Sequence, residues 1–207
     1  MLQIEDQTND ANQETSKIPN YLIRDEFDGR SFYYKGYKEV LNKSKTLEDI
    51  MPSSGLQSEI IMYLFAILLQ QIGIKKYRIY ASESGNHIKK KLNYGLDVAV
   101  YDRAILSSDK VNDKYVSVPP ELVIEVDIKV DTVELTEEEF ILSKTQSLLD
   151  SGCKKVIWII SKKQKVLLAE PNKDWLIRDW DKEFDLMNGV IANVGKYLKD
   201  NGIDVNN

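Results

Sequence analysis

The sequence has very little of the residues that build zinc sites and nucleophile–base pairs: its 207 residues include one cysteine and one histidine. Cys153 alone cannot close an intrachain disulfide or form a thiolate zinc cage, and His87 alone cannot supply a two-histidine metal face. His87 also lies in a polar, lysine-rich stretch, which disfavours it as the base for a serine or cysteine nucleophile. The chemistry that remains is that of carboxylates, lysine and metal ions bound through oxygen.

Long apolar runs are missing as well. Residues 1–18 lack the basic start and apolar run of a signal peptide, and no stretch contains the roughly 18 apolar residues of a membrane span. We therefore expect a cytoplasmic protein without a membrane partner. The length fits a single domain, expected at residues 20–200, with a disordered acidic tail at 1–19 and a flexible C-terminus at 201–207.

The net charge is −5, which at first sight disfavours a nucleic-acid partner. Residues 1–18 contribute four acids and one lysine, however, so the rest of the chain carries only −2. Lysines also cluster at 89–91, 154–155 and 162–163. The acidic balance of the whole chain therefore does not exclude DNA.

The patterns of apolar residues predict an α/β fold, a mixed β-sheet flanked by helices with an N-terminal β-hairpin at 21–37 around an Asp28-Gly29 turn. Ser54 and Gly73 delimit a helix that we expect to be well buried, and Thr136 and Gly152 delimit a second helix. That second helix should connect two parallel strands between residues 121 and 160. The predicted strands are 77–81, 96–101, 122–130, 156–160, 165–169 and 175–180, and a short helix follows near 190–198.

Polar residues interrupt predicted strands whose other residues are apolar and are expected in the core. Asp97 stands within an apolar run, and Glu125, Asp127 and Lys129 alternate with aliphatic residues, which places all three on one face of a strand. An edge strand with one solvated face would explain this row. The run precedes a crossover helix, however, so we expect it to be central, where a carboxylate must be paired or bind a cation.

A lysine on the predicted crossover helix completes the pattern. Phe140, Lys144 and Leu148 recur every four residues, which places Lys144 in the stripe that should face the sheet. A lone lysine in such a stripe more often extends to the helix edge, whereas carboxylates on the facing sheet favour a shared site. Two carboxylates suit Mg²⁺ or Mn²⁺, and a nearby lysine can assist a water that attacks a phosphodiester.

These residues, in this order, resemble the PD-(D/E)xK nuclease superfamily, and more narrowly the Uma-two family of restriction-endonuclease-like proteins. The similarity extends over about residues 21–180. The motifs that carry it are Glu26 with Phe27, Asp28 and Gly29 in the hairpin, Asp97 in its strand, Glu125 in PPELVIEVDIK, and Lys144 in the helix before GCKKVIWII.

The resemblance implies a restriction-endonuclease-like core, dependence on a divalent metal, DNA as the substrate and frequent homodimers. By the same resemblance, Asp97 and Glu125 match the metal-binding acids, and Lys144 matches the catalytic lysine. Three departures stand against this: Leu96 replaces a proline, Gln57 a frequent histidine, and Ser161 a common aspartate. A catalytically inactive DNA- or protein-binding module is therefore the alternative, as is a structural subunit whose acids pair with the nearby lysines.

Further candidates remain open. Asp127-Ile128-Lys129 offers a second acid-x-Lys register, with Asp127 as an additional ligand and Lys129 as the competing catalytic lysine. Glu59 on the long helix is a possible third acid or, together with Gln57, an exposed residue at the helix start. His87 and its neighbouring lysines are either a solvated hairpin tip or a contact for phosphates.

Overall fold

The computed structural model of the chain describes residues 18–27, 30–89, 92–131 and 136–205, which form an α/β fold. The strands among these residues are β1 (Ile23–Phe27), β2 (Arg30–Tyr34), β3 (Tyr77–Lys89), β4 (Leu92–Asp102), β5 (Leu122–Val126), β6 (Val130–Asp131), β7 (Val156–Ile160), β8 (Lys165–Ala169), β9 (Leu176–Asp179), β10 (Phe184–Asp185) and β11 (Ile191–Ala192). The helices are α1 (Tyr37–Leu41), α2 (Gly55–Ile72), α3 (Glu137–Asp150) and α4 (Val194–Asp200).

The central sheet has six strands in the order β3-β4-β5-β7-β8-β9. β5 and β7 are parallel and connected through α3, and the other neighbours are antiparallel. All five residues of β5 are buried, as expected for an interior strand. β1, β2 and β6 form a second, antiparallel sheet. The predicted mixed sheet, flanking helices and N-terminal hairpin strands are thus confirmed.

The two faces of the central sheet bury separate hydrophobic clusters. Phe140 and Leu148 of α3 pack on one face, and Ile60 of α2 and Leu198 of α4 contribute to the cluster on the other. Successive residues of a strand point to opposite faces. In β5, Val123 accordingly belongs to the cluster on the α3 face, and Ile124 belongs to the cluster on the face of α2 and α4.

The long helix α2 begins and ends where its sequence signals predict. The Ser54 side chain accepts a hydrogen bond from the Gln57 amide, and Gly73 ends the helix at φ +69°. The expectation that α2 is well buried is wrong for most of its surface, since Met62 is 58% exposed. The 18 residues of α2 are also long and apolar enough to cross a membrane, and 22% of them are buried. Core helices of soluble proteins meet the same criterion of length and composition. Its buried residues are Gln57, Ile60, Leu64 and Leu68.

Helix α3 is fixed firmly at its start and along the sheet. Thr136 and Glu139 form a reciprocal capping box, and Gly152 follows the helix with φ +102°. Trp158 of β7 donates a 2.8 Å hydrogen bond to the Thr145 hydroxyl, and its ring packs against Phe140. These contacts set the position of Lys144, one residue before Thr145.

The predicted strand at 122–130 is interrupted. β5 ends at Val126, Asp127 adopts a left-handed φ of +60°, and β6 pairs with β2 in the other sheet. A left-handed residue ends the alternation of faces. The prediction that Glu125, Asp127 and Lys129 share one face of a single strand is therefore wrong. The predicted Asp28-Gly29 turn, Lys90 and Lys91, and the predicted tail up to residue 17 lie outside the described residues.

Candidate active site

Asp97 and Glu125 stand on neighbouring interior strands. Val98 pairs with Ile124, so Asp97 and Glu125 come next in the antiparallel register and point to the same face as α3. Only 1% of Asp97 and 3% of Glu125 is exposed. Burial of two carboxylates side by side is unfavourable unless cations or hydrogen bonds compensate for it.

Both carboxylate oxygens of Asp97 have partners that offset the cost of its burial. Its Oδ2 accepts a 2.8 Å hydrogen bond from the Val126 amide, and its Oδ1 lies 2.7 Å from the Lys129 ammonium. The same ammonium donates to Glu83 Oε1 at 2.6 Å, and Arg24 Nη2 approaches that Glu83 oxygen at 3.2 Å. The result is a chain of charges that runs from the buried Asp97 to the surface.

Glu125 is paired with Lys144. The Nζ of Lys144 lies 3.2 Å from Glu125 Oε1 and 3.8 Å from Asp25 Oδ2, and it faces the Tyr94 ring at 5.0 Å from the ring centroid. Lys144 is 4% exposed. The alternative in which this lysine extends to the helix edge is therefore wrong, and the structure brings Asp97, Glu125 and Lys144 together.

Burial sets the protonation of this pair. It raises the pKa of Glu125 to about 7, with Lys144 acting against the rise and the Asp97 and Asp25 charges adding to it. For Lys144, burial alone would lower the pKa, but Glu125 and Asp25 outweigh it and hold the pKa above the ordinary lysine value. Lys144 is therefore a permanent cation beside a carboxyl group that titrates near neutral pH.

Asp25 and Glu125 both line a small cavity of about 10 Å³, which has room for about one water molecule. Asp25 Oδ1 and Glu125 Oε1 accept no hydrogen bond from the residues that the structure describes, although Glu125 Oε1 lies within ion-pair distance of Lys144. Buried acceptors without a donor are destabilising. Carboxylate oxygens are also the ligands that Mg²⁺ prefers.

The sequence analysis missed two residues near the site and placed a third, Gln57, wrongly. Asp25 is buried while Glu26, the residue assigned to the hairpin motif, is exposed, since neighbours on a strand face opposite ways. The Arg24 side chain is 7% exposed beside Glu83. Gln57 is buried and is not an exposed residue at the start of the helix. Its side-chain Nε2 donates a hydrogen bond to the Val126 carbonyl. The alternation of faces in the hairpin was the signal that pointed to either Asp25 or Glu26.

Two of the additional candidates have other partners. Asp127 accepts hydrogen bonds from the Ser161 amide and hydroxyl, both at 2.7 Å, so its carboxylate joins the ends of β5 and β7. Glu59 accepts from the Tyr197 hydroxyl of α4 on the opposite face of the sheet. Within the described part of the chain, no group of three or more His, Cys, Asp and Glu side chains is arranged to hold a metal ion.

A basic groove of about 450 Å³ lies directly beside the buried acids. Arg24, Asp127 and Lys129 line both the groove and the small cavity, so they form the boundary between the two. Basic side chains outnumber acidic ones on the walls. The basic residues are Arg24, Lys35, Lys45, Lys129, Lys162 and Lys163, and the acidic ones are Asp49, Asp127 and Glu137.

No family model matches the sequence, and no curated protein matches it either. A solved structure does match the fold: a crystal structure from Anabaena variabilis ATCC 29413, described as "a putative nuclease belonging to DUF820". The two structures superpose with a TM-score of 0.61 over 84% of this chain and 89% of that chain, at 11% sequence identity. This likeness shows that the chain has a nuclease-like α/β fold.

Proposed function

We propose that this chain is a metal-dependent endonuclease that hydrolyses phosphodiester bonds of DNA. Asp97 and Glu125 hold Mg²⁺ or Mn²⁺, and Lys144 assists the attacking water. The observation that carries the proposal is the buried cluster of Asp97, Glu125 and Lys144 beside a groove lined by more basic than acidic side chains. The fold shared with a protein described as a nuclease supports it.

The donor set suits a hard divalent cation. Mg²⁺ is commonly held by one or two carboxylates and keeps several of its waters, so a cluster of three acids is not required. Glu125 Oε1 accepts no hydrogen bond from a described residue, although it lies 3.2 Å from the Lys144 ammonium, and Asp97 stands next to Glu125 in the sheet register. A bound cation would acidify water and neutralise charge that develops on the phosphodiester.

The groove lysines and Lys144 have different roles, which follow from their positions. The groove lysines bind backbone phosphates, which places the scissile bond above the acids. Lys144 keeps its charge at neutral pH and offers N–H donors to the water or to a phosphoryl oxygen. Its ring contacts with Tyr94 and Trp158 restrict its movement, so it is held in position before the substrate arrives.

Nicking of supercoiled plasmid tests the proposal. The purified protein should nick plasmid DNA in Mg²⁺ or Mn²⁺ and should lose this activity with EDTA. Asp97→Asn keeps the size of the side chain but removes the charge, and we expect it to abolish nicking. Asp174→Asn, which changes an exposed acid outside the site, is the matched control and should keep full activity. Absence of nicking with every divalent metal would contradict the enzymatic proposal.

An inactive module that binds nucleic acid is the second candidate, because both oxygens of Asp97 already have partners within the chain. In that case the acids balance the lysines, and only the groove contacts DNA. A gel shift that persists in EDTA and in Asp97→Asn, without nicking in any metal, would favour this candidate. Binding that requires the metal and Asp97 would favour the enzyme.

A further inference from the structure

Lys129 stands between the groove and the buried acids. It lines both spaces, its side chain is 14% exposed, and its ammonium contacts Asp97 Oδ1 at 2.7 Å and Glu83 Oε1 at 2.6 Å. The other Asp97 oxygen is bound by the Val126 amide. A cation that enters from the groove therefore meets the Lys129 ammonium at the Asp97 oxygen that it needs.

We propose that Lys129 is a tethered competitor for the divalent cation, whose ammonium occupies the cation position of Asp97 in the metal-free protein. The inference rests on the metal site of the proposed function and assigns Lys129 a role other than that of catalytic lysine. Two positive charges in van der Waals contact repel strongly in a buried site, so the metal and the ammonium cannot share Asp97 Oδ1. Metal binding requires Lys129 to move away.

The surroundings of Lys129 provide a place for it to move to. Glu83 already binds the ammonium at the mouth of the site and is itself 38% exposed, so Lys129 can leave Asp97 without losing every anionic partner. Glu83 has a left-handed backbone, with φ +57°, at an irregular position of β3. That conformation is uncommon for a residue other than glycine and aims the Glu83 side chain at Arg24 and Lys129. The displaced ammonium then faces the groove, where it adds a positive charge for a phosphate.

Lys144 differs from Lys129 in its exposure and in its position relative to the groove. Lys144 is enclosed at 4% exposure, contacts Glu125 and Asp25, and does not line the groove. The two lysines therefore have separate roles. Lys129 controls access of the metal to Asp97, and Lys144 remains in place.

Titration of the purified protein with Mn²⁺ alone, followed by calorimetry, tests the proposal directly. Lys129→Met removes the competing charge and keeps the length of the side chain, so we expect Mn²⁺ to bind at least about tenfold more tightly than in the unmodified protein. Lys129→Arg retains a cation and should stay within about threefold of the unmodified protein. The control is Lys199→Met, on the exposed surface of α4, which should leave the affinity unchanged.

The possible outcomes separate this inference from the proposed function. Equal Mn²⁺ affinity in Lys129→Met and the unmodified protein, with loss of binding in Asp97→Asn, would overturn the competitor role and leave the metal site intact. Absence of Mn²⁺ binding in all variants would overturn both. Tight binding by Lys129→Met with weak binding by the unmodified protein supports both.

A second measurement needs no variant. Acetic anhydride modifies the neutral form of an accessible lysine amine, and peptide mass spectrometry can quantify the modification at each lysine. In the protein without substitutions, saturating Mn²⁺ should increase the acetylation of Lys129 severalfold and leave the acetylation of Lys199 unchanged. Labelling of Lys129 that does not respond to Mn²⁺ would overturn the proposal, even if Lys129→Met failed to fold.

Discussion

Burial brings the pKa of Glu125 into the neutral range. Its pKa of about 7 means that near neutral pH the metal-free protein contains both the acid and the carboxylate form, next to a Lys144 that stays charged. A carboxylate must be deprotonated to ligate a metal, so in the proposed function a proton would compete with the metal for Glu125. The balance between proton and metal at Glu125 would therefore change most in the neutral pH range.

We expect Mn²⁺ affinity to increase as the pH is raised from about 6 to about 8, because Glu125 loses its proton over that range. Calorimetry in two buffers of different ionisation enthalpy should show release of part of a proton on binding at pH 6.5. In Glu125→Gln this proton release should disappear, together with most of the affinity. An affinity that is constant over this pH range would contradict the role of Glu125 as a ligand.

The pairing of Lys144 predicts a large effect on stability. Lys144→Ala leaves Asp25 and Glu125 buried without their shared cation, and breaking a buried ion pair costs about 3 to 5 kcal/mol. The free energy of unfolding from urea titration measures this change. Lys199→Ala, at an exposed site, should change it by no more than about 0.5 kcal/mol. A loss below about 1 kcal/mol in Lys144→Ala would show that the pair is not formed.

Sequence analysis could find Asp97, Glu125 and Lys144 because each is a charged residue in an otherwise apolar pattern. In the hairpin it named Glu26 through the family motif, whereas the buried acid is the preceding residue, Asp25. Gln57 was missed for another reason. Its burial comes from a contact with the Val126 carbonyl, which is distant in sequence and leaves no trace in the local pattern.

At the scale of elements, the end of β5 decides the shape of the site. The alternating pattern of residues 122–129 predicts one continuous strand, but Asp127 turns the chain left-handed, and its side chain binds Ser161 after β7. Aspartate tolerates this conformation better than most residues, and its carboxylate gains two hydrogen bonds from it. Such a break depends on a partner 34 residues away, so a local pattern cannot predict it.

Asp127→Ala tests this structural assignment. The change removes both hydrogen bonds to Ser161 and places a residue with a β-carbon but no polar group at φ +60°, so we expect a loss of about 1 to 3 kcal/mol in the free energy of unfolding. Asp127→Asn retains an acceptor and tolerates the left-handed conformation, and it should lose less. Unchanged stability of Asp127→Ala together with lost Mn²⁺ binding would show instead that Asp127 is a metal ligand.

At the scale of the whole molecule, the distribution of charge matters more than its sum. The chain carries −5, yet six basic and three acidic side chains line the groove beside the acids. Binding to the phosphate backbone depends on the local positive surface and weakens as salt increases. The order of strands, which places β4 beside β5, brings Asp97 and Glu125 next to each other.

Removal of groove lysines should reduce the salt dependence of DNA binding. Changing Lys35, Lys45 and Lys162 together to alanine should reduce the slope of log affinity against log salt by up to about 0.9 for each lysine that contacts a phosphate. Fluorescence anisotropy with a labelled duplex measures this slope. The same change at Lys173, Lys196 and Lys199, outside the groove, is the control. Equal slopes for the two triple variants would show that DNA does not bind in this groove.

The most direct test of the central claim is the anomalous scattering of manganese in crystals of the protein soaked with MnCl₂. The account predicts a peak about 2 Å from carboxylate oxygens of both Asp97 and Glu125. In the same map, the Lys129 ammonium should have moved away from Asp97, and Lys144 should remain beside Glu125. The absence of such a peak at saturating MnCl₂, with Lys129 still bound to Asp97, would contradict the account.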